Sequence, residues 1–211
     1  IRLSLVGSEM CIRDSRQSAQ GRRYAGPFRR LWLANVGSSM RFLSVCSGIE
    51  AASVAWGPLG WKAVAFSEIE PFPCAVLAHH YPDTPNWGDM TKFKEWPDVS
   101  IDLLCGGTPC QSFSVAGLRK GLDDPRGNLM LTFGSIAAKY RPRWLVWENV
   151  PGVLSSNGGR DFGAFLGMLG QLGYGFAYRV LDAQYFGVAQ RRRRVFVVGC
   201  LGDWRSAAAV L

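Results

Sequence analysis

One cysteine stands in a sequence setting that suits a reactive thiol. The segment GGTPCQSFSVAG, residues 106–117, follows the apolar run IDLLC, which has the pattern of a buried strand. Glycine tolerates unusual backbone angles and proline has a fixed φ, so Gly106, Gly107 and Pro109 would present Cys110 rigidly where the strand ends. A cysteine that only fills a core does not require these neighbours. Cys110 is therefore predicted to be a nucleophile.

The remaining cysteines have a different setting. Irregular spacing without a CxxC pair is shared by Cys11, Cys46, Cys74, Cys105 and Cys200. The last four are expected to pack as small apolar residues, as free cysteines commonly do. His79 and His80 end a helical pattern and have no third ligand at a suitable spacing. Neither a disulfide framework nor a metal site is predicted.

The positive charge is unevenly distributed. The chain carries a formal charge of +8, and residues 1–39 contain seven of its arginines against only two acidic residues. The rest of the chain is nearly balanced, so its total charge says little about a nucleic-acid partner. The run Arg191–Arg194 is different, since four consecutive arginines usually indicate a phosphate-binding patch.

These residues must be positioned by a fold of alternating elements. From Met40 onward, short apolar runs alternate with helical patterns, which is typical of an α/β protein with a mostly parallel sheet and helices on both faces. In such folds ligands bind at the carboxyl ends of the strands. The polar residues that follow the predicted strands are Ser47, Glu68, Asp89, Cys110, Glu148 and Asn149.

The chain divides into two regions. Residues 1–39 lack any sustained period and are predicted to be a non-native or disordered leader, whereas residues 40–211 form one catalytic domain. No stretch reaches the roughly 18 to 20 apolar residues that span a bilayer. The N-terminus also lacks the order of a signal peptide, so a cytoplasmic protein without membrane contact is expected.

The ordered series SGIEA, SEIE, GDM, GGTPCQ, RGNL, ENV and QRRRR resembles the DNA cytosine-C5 methyltransferases of phages and bacteria. The resemblance extends over residues 41–200. It implies the Rossmann-like fold of S-adenosylmethionine-dependent methyltransferases, S-adenosylmethionine as cofactor and double-stranded DNA as partner. It also implies that Cys110 attacks C6 of a cytosine flipped out of the duplex, because stacking covers the pyrimidine face inside DNA.

The resemblance assigns further residues to the reaction. Glu148 would bind the cytosine N3 and exocyclic amine. Matching QxRxR gives Gln190, Arg192 and Arg194, of which the two arginines would contact the base and orient Glu148. Alternate residues of a strand share a face, so Arg191 and Arg193 would point outward. Substrate contacts are expected from Gln111, Ser112, Ser114, Asn149 and Gln190, with Asn149 also orienting its loop.

Cofactor contacts are implied along the first half of the domain. Glu68 would hold the ribose hydroxyls, Ile69 would pack on adenine and Asp89 would bond the adenine amino group. The full set is Cys46, Ser47, Gly48, Ile49, Glu68, Ile69, Asp89, Met90, Gly107, Pro109 and Leu129. The sequence departs from the family pattern at Cys46, which replaces an aromatic residue, and at Glu50–Ala51, which replace two glycines.

Three alternatives remain at this level. The transfer RNA cytosine-5 methyltransferases share the PCQ and ENV pattern, and a non-catalytic module could use the same fold. A nicotinamide-dependent dehydrogenase is less compatible, because no GxGxxG follows the first strand.

The resemblance also implies that the chain ends before a target-recognition region and a closing segment. We therefore expect an exposed flank near Phe42 and Val45. We also expect little or no site-specific activity of this chain alone. A separately encoded half supplied in trans is an alternative.

Overall fold

The computed structural model describes residues 39–109 and 129–211. Most of the predicted leader lies outside these ranges. So do four residues of the predicted site: Cys110, Gln111, Ser112 and Ser114.

The centre of the fold is a six-stranded sheet. Its strands are β1 (Arg41–Val45), β2 (Lys62–Ser67), β3 (Leu103–Gly106), β4 (Trp144–Asn149), β5 (Tyr174–Asp182) and β6 (Arg193–Leu201), in the order β2-β1-β3-β4-β6-β5. Strands β2, β1, β3 and β4 run parallel, whereas β6 runs antiparallel to both β4 and β5. The predicted mostly parallel sheet is confirmed.

Helices connect the strands. They are α1 (Ala51–Trp56), α2 (Pro71–His80), α3 (Leu129–Tyr140), α4 (Arg160–Gln171) and α5 (Trp204–Val210). Short 3₁₀ segments cover Gly57–Leu59, Met90–Glu95, Pro151–Leu154, Ser156–Gly159 and Ala183–Phe186. Helices α1 to α4 follow the patterns that the sequence predicts, although α1 is only six residues long, whereas α5 follows the last strand and was not predicted.

The sheet is covered on both faces, because its central strands carry buried side chains on both faces, as strands of a parallel sheet between helices do. On one face, α3 and α4 pack on Leu43, Leu104 and Trp147 in the main core. The opposite face has two smaller clusters. One lies under α1 around Phe42, Leu103 and Cys105, and the other lies under α5 around Val198, Cys200 and Ala207.

The expected exposed flank near Phe42 and Val45 is wrong. Both side chains are fully buried. The ring of Phe42 packs edge-on against Trp56 of α1, with centroids 5.2 Å apart, and Trp56 in turn contacts Trp61. Val45 lies on the other face, in the main core. The aromatic residues around the short α1 therefore close this part of the sheet.

Candidate active site

The turn after β1, residues 46–50, is the first part of the site, and we call it the cofactor turn. Ser47 fixes it to the sheet, because its amide donates to Ser67 O at 3.2 Å and its hydroxyl donates to Ser44 O at 2.9 Å. The Gly48 amide donates to Glu68 Oε2 at 2.8 Å. Gly48 has φ +57, and a β-carbon there would meet nothing within 4 Å. The backbone thus faces open space that a ligand can approach.

Glu68 joins the cofactor turn to the end of β2. Its second carboxylate oxygen, Oε1, accepts hydrogen bonds from the amides of Ile69 and Glu70 at 2.8 and 2.9 Å. These amides fix the orientation of the carboxylate. Ile69 beside it is 64% exposed, so an apolar side chain is presented next to an oriented anion.

Asp89 and Met90 lie across from this strand end. Asp89 Oδ1 accepts from the Thr91 amide at 2.8 Å and begins the 3₁₀ segment. Met90 is buried, and its sulfur lies 3.4 Å from the Cys46 thiol. The predicted cofactor residues of three separate loops are therefore brought together, while Ile49 is also buried beneath the turn.

The thiol of Cys46 stays protonated in this setting. Burial raises the pKa of Cys46 to about 12, and the carboxylates of Glu68 and Asp89 add to the increase. Burial also raises the pKa of Cys105 and Cys200 above the usual thiol value. Because the thiolate is the nucleophilic form, the raised pKa values disfavour reaction at these three cysteines, and Cys105 and Cys200 are buried in the core as the sequence predicts.

The second part of the site lies where β4 ends and β6 begins. Arg194 Nε lies 2.9 Å from Glu148 Oε1, and Arg192 Nη2 lies 3.9 Å from the same oxygen. Arg192 and Arg194 are half-buried, while Arg191 and Arg193 are exposed. The alternation predicted from QRRRR thus brings two arginines onto one carboxylate. Whether they contact a base remains a prediction.

The segment that leads to Cys110 reaches the same carboxylate. A β-carbon on Gly107 would lie 2.8 Å from Glu148 Oε2, so any other residue here would require the carboxylate to shift. Thr108 is held by two residues of β4: its hydroxyl accepts from the Trp147 indole at 3.0 Å, and its carbonyl accepts from Asn149 Nδ2 at 2.9 Å. The backbone immediately before Pro109 is therefore anchored beside Glu148.

Three predicted residues occupy supporting positions. Asn149 is buried, and its Oδ1 accepts from the Val150 amide at 2.8 Å, so it anchors the loop as expected. Its predicted contact with substrate remains untested. Gln190 Oε1 is buried and has no hydrogen-bond partner among the described residues. Leu129 begins α3 and packs against the main core.

The cofactor turn and its neighbours fit S-adenosylmethionine. The oriented Glu68 carboxylate suits vicinal ribose hydroxyls, and exposed Ile69 suits the flat face of adenine. The open space at Gly48 suits the amino-acid end. This combination of an acidic strand end with a turn of close backbone approach is the general solution for a ribose-containing cofactor in an α/β sheet.

Sequence analysis missed several residues that build the site. Ser44, Glu50, Thr108 and Trp147 form buried hydrogen bonds beneath it. A serine in the apolar run RFLSV and a glutamate in place of a glycine were signals that could have revealed the first two. Among residues 39–109 and 129–211 there is no cluster of three potential metal ligands. Within the same ranges, no helix has both the length and the apolar character to cross a membrane.

The sheet order and the cofactor turn define an S-adenosylmethionine-dependent methyltransferase fold of the Rossmann-like class. The crystal structure of a DNA modification methyltransferase encoded within a prophage of E. coli has the same fold. It superimposes with a TM-score of 0.63 at 23% identity and covers 77% of this chain and 47% of that chain.

A family model described as C-5 cytosine-specific DNA methylase matches residues 40–209, and the chain belongs to this family. A DNA N-6-adenine-methyltransferase of Escherichia phage P1 is 47% identical over 222 residues, which cover 80% of this chain and 29% of that protein. A type II methyltransferase of Picosynechococcus sp. is 35% identical over 176 residues, covering 75% of this chain and 71% of that protein. The chain spans only 29% to 42% of the length of the phage P1 protein and of six further curated relatives.

Proposed function

We propose that this chain is the catalytic part of an enzyme that methylates C5 of cytosine in double-stranded DNA. The observation that carries the proposal is the 2.9 Å ion pair between Arg194 and Glu148. The Glu148 carboxylate of this pair lies against Gly107, which is three residues before Cys110. This arrangement supports a base-binding carboxylate next to a nucleophile. Membership of the C-5 cytosine-specific family supports the choice of base and atom.

In the proposed reaction, the Cys110 thiolate forms a bond to C6 of a cytosine flipped out of the duplex. The C5=C6 π pair shifts to C4–C5 and the C4=N3 π pair moves to N3, which takes a proton from Glu148 while the carboxyl accepts a hydrogen bond from the exocyclic amine. Bound S-adenosylmethionine would supply an electrophilic methyl group, whose bond to sulfur breaks as the bond to C5 forms, so that S-adenosylhomocysteine leaves. C5 then loses its proton to a base, the C6–sulfur bond breaks, and N3 returns its proton to Glu148.

Within this scheme, the arginines act on the carboxylate. Arg194 Nε fixes the direction of Glu148, and Arg194 Nη1 is held by the Arg193 carbonyl at 2.8 Å. Arg192 lies near enough to share the carboxylate and to contact the flipped base. Preorganised donors of this kind stabilise charge that develops in the transition state. The substrate contacts of Gln111, Ser112, Ser114, Asn149 and Gln190 belong to the same proposal.

A second candidate is methylation of adenine at N6, because the phage P1 relative carries that activity in its name. This chain covers only 29% of that relative, so the named activity can reside in the remainder. N6 of adenine needs no covalent attack on a ring carbon, whereas GGTPCQ presents a thiol. Cytosine C5 is therefore the better-supported target. Transfer RNA is the alternative nucleic acid.

The experiment uses the complete polypeptide of this reading frame, labelled S-adenosylmethionine, and either mixed-sequence duplex DNA or transfer RNA. Nucleoside mass spectrometry should find 5-methylcytosine in the DNA, and Cys110→Ala should abolish it. N6-methyladenine, or label in transfer RNA alone, would contradict the proposal. A duplex containing 5-fluorocytosine should trap a denaturation-resistant complex that Cys110→Ala cannot form, because fluorine cannot leave C5 as a cation.

We also propose that a further segment supplies target recognition, either downstream in the polypeptide or in trans. The chain spans 29% of the phage P1 relative and 71% of the Picosynechococcus relative, which leaves part of each protein for such a segment. Without base-edge contacts, discrimination of about 1 to 3 kcal/mol per base is lost. The chain alone should therefore show no sequence preference, and robust site-specific labelling by it would contradict this. A cytoplasmic location remains a prediction.

A further inference from the structure

Glu50 stands at a backbone position that suits glycine. Its φ is 67°, in the left-handed region, where a residue with a β-carbon is disfavoured and glycine is not. The family pattern has a glycine here. A glutamate at this position must form interactions through its side chain that offset the backbone cost.

The side chain of Glu50 makes those interactions inside the protein. It is only 1% exposed. Its carboxyl accepts hydrogen bonds from Ser44 Oγ at 2.7 Å, from the Ser53 amide at 3.0 Å and from Ser53 Oγ at 3.1 Å. Ser44 lies in β1 and Ser53 lies in α1. The carboxyl therefore links the strand before the cofactor turn to the helix after it.

This link determines which groups of the turn can meet a ligand. The Ser53 amide at the start of α1 is occupied by Glu50 itself, so it is not directed at a cofactor. The Glu50 amide donates to Ser47 O at 3.0 Å and closes the turn. Gly48 then reaches Glu68 and faces open space. The open side of Gly48 and the backbone of Ile49 are what the turn leaves for the amino-acid end of a cofactor.

Among residues 39–109 and 129–211, no opposite charge acts on the Glu50 carboxyl. Burial raises the pKa of Glu50 to about 7, while the hydrogen bonds from Ser44 and Ser53 oppose the increase. Cys105 of β3 faces the same carboxyl, and its own raised pKa keeps that thiol neutral. Among the described residues, the groups acting on this carboxyl are thus hydroxyls, an amide and a thiol. Hydrogen bonds from Ser44 and Ser53 therefore hold the Glu50 carboxyl in place.

We propose that Glu50 is a positioning residue of the cofactor site, whose buried carboxyl fixes the cofactor turn and thereby sets the affinity for the amino-acid end of S-adenosylmethionine. The inference rests on the proposed function, since it requires S-adenosylmethionine to bind at this turn. Glu50 acts through the turn and does not touch the cofactor.

The test measures equilibrium binding by calorimetry to the purified chain and three variants. Glu50→Gly keeps the left-handed backbone favourable and removes the whole side chain with its carboxyl, so it should weaken S-adenosylmethionine binding about tenfold. Glu50→Gln retains an acceptor for Ser53 and a polar group for Ser44, so it should stay within about threefold. Ser44→Ala leaves the turn sequence intact and should give an intermediate loss.

A second ligand separates positioning from general damage to the fold. 5′-Methylthioadenosine contains the adenosine and the thioether but no amino-acid part, so Glu50→Gly should bind it as the unmodified chain does. Equal loss for both ligands, or undiminished S-adenosylmethionine binding by Glu50→Gly, would overturn the inference. If the unmodified chain binds neither ligand, the cofactor site of the proposed function fails instead. Thermal unfolding of each variant monitors folding.

Discussion

The cofactor end and the catalytic end of this domain are held together in different ways. Around the cofactor turn, Ser44, Glu50 and Ser53 lie within nine residues of one another and bond among themselves. At the catalytic end, Glu148 depends on Arg194, and Thr108 depends on Trp147 and Asn149. Those partners are about 40 residues apart and meet only because the sheet places β3, β4 and β6 side by side.

The difference teaches where each half of the site is vulnerable. A short-range network needs little loop closure and is complete once β1 and α1 have formed. A long-range network requires the whole sheet, but it places an ion pair and an anchored backbone on one carboxylate. Changes at the catalytic end should therefore affect the reaction most. Changes at the cofactor end should affect stability and binding.

The largest expected effect tests the ion pair. Arg194→Met keeps an apolar stem but removes the Nε–H that orients Glu148, and methyl transfer by the complete polypeptide should fall about a hundredfold or more. The matched control is Arg193→Met, which changes the exposed neighbour and should retain most of the activity. Initial rates with labelled S-adenosylmethionine give both values. Comparable losses in the two variants would mean that the run acts only as a cationic patch.

The second effect tests the buried carboxyl through pH. Glu50 ionises at its ordinary pKa of 4.5 when unfolded and at about 7 when folded. Between these values the folded chain binds the extra proton, so rising pH favours unfolding. The free energy of unfolding should fall by about 3 kcal/mol from pH 4.5 to pH 7 and then level off.

The control for this pH effect is Glu50→Gln, which carries no titrating group. Urea unfolding across this range measures the difference in the free energy of unfolding between the two proteins. This difference should show the decline, because all other titrating groups are the same in both proteins. A constant difference from pH 4.5 to pH 7 would mean that Glu50 keeps its ordinary pKa in the folded chain.

The smallest effect tests the anchor before Pro109. Thr108→Val has a similar shape but leaves the buried Trp147 indole N–H without its acceptor, which should cost about 1 to 3 kcal/mol of stability. The control, Thr91→Val, changes a half-buried threonine of the 3₁₀ segment and should cost less. The midpoints of urea unfolding measure both losses of stability, provided that the dependence of the unfolding free energy on urea concentration is unchanged. An equal cost at the two positions would remove the special role of the anchor.

Much of the fold follows from the sequence because its signals are short-range. The apolar runs RFLSV, KAVAFS and RWLVWEN predict β1, β2 and β4, and period-two alternation assigns each residue to a face of the sheet. The same alternation divides the QRRRR run into half-buried and exposed arginines. The rule that parallel strands end at one edge of the sheet predicts that the polar residues after each strand lie near one another.

What the sequence could not determine is which distant groups meet. It placed Glu148 and Arg194 in one site, but the 2.9 Å ion pair depends on β6 running antiparallel to β4. It did not predict the burial of Phe42, which depends on the rings of Trp56 and Trp61. In the sequence, Glu50 is only a departure from the family pattern, and its burial and hydrogen bonds are visible only in the fold. Burial and long-range hydrogen bonds are properties of packed elements, so only the tertiary structure decides them.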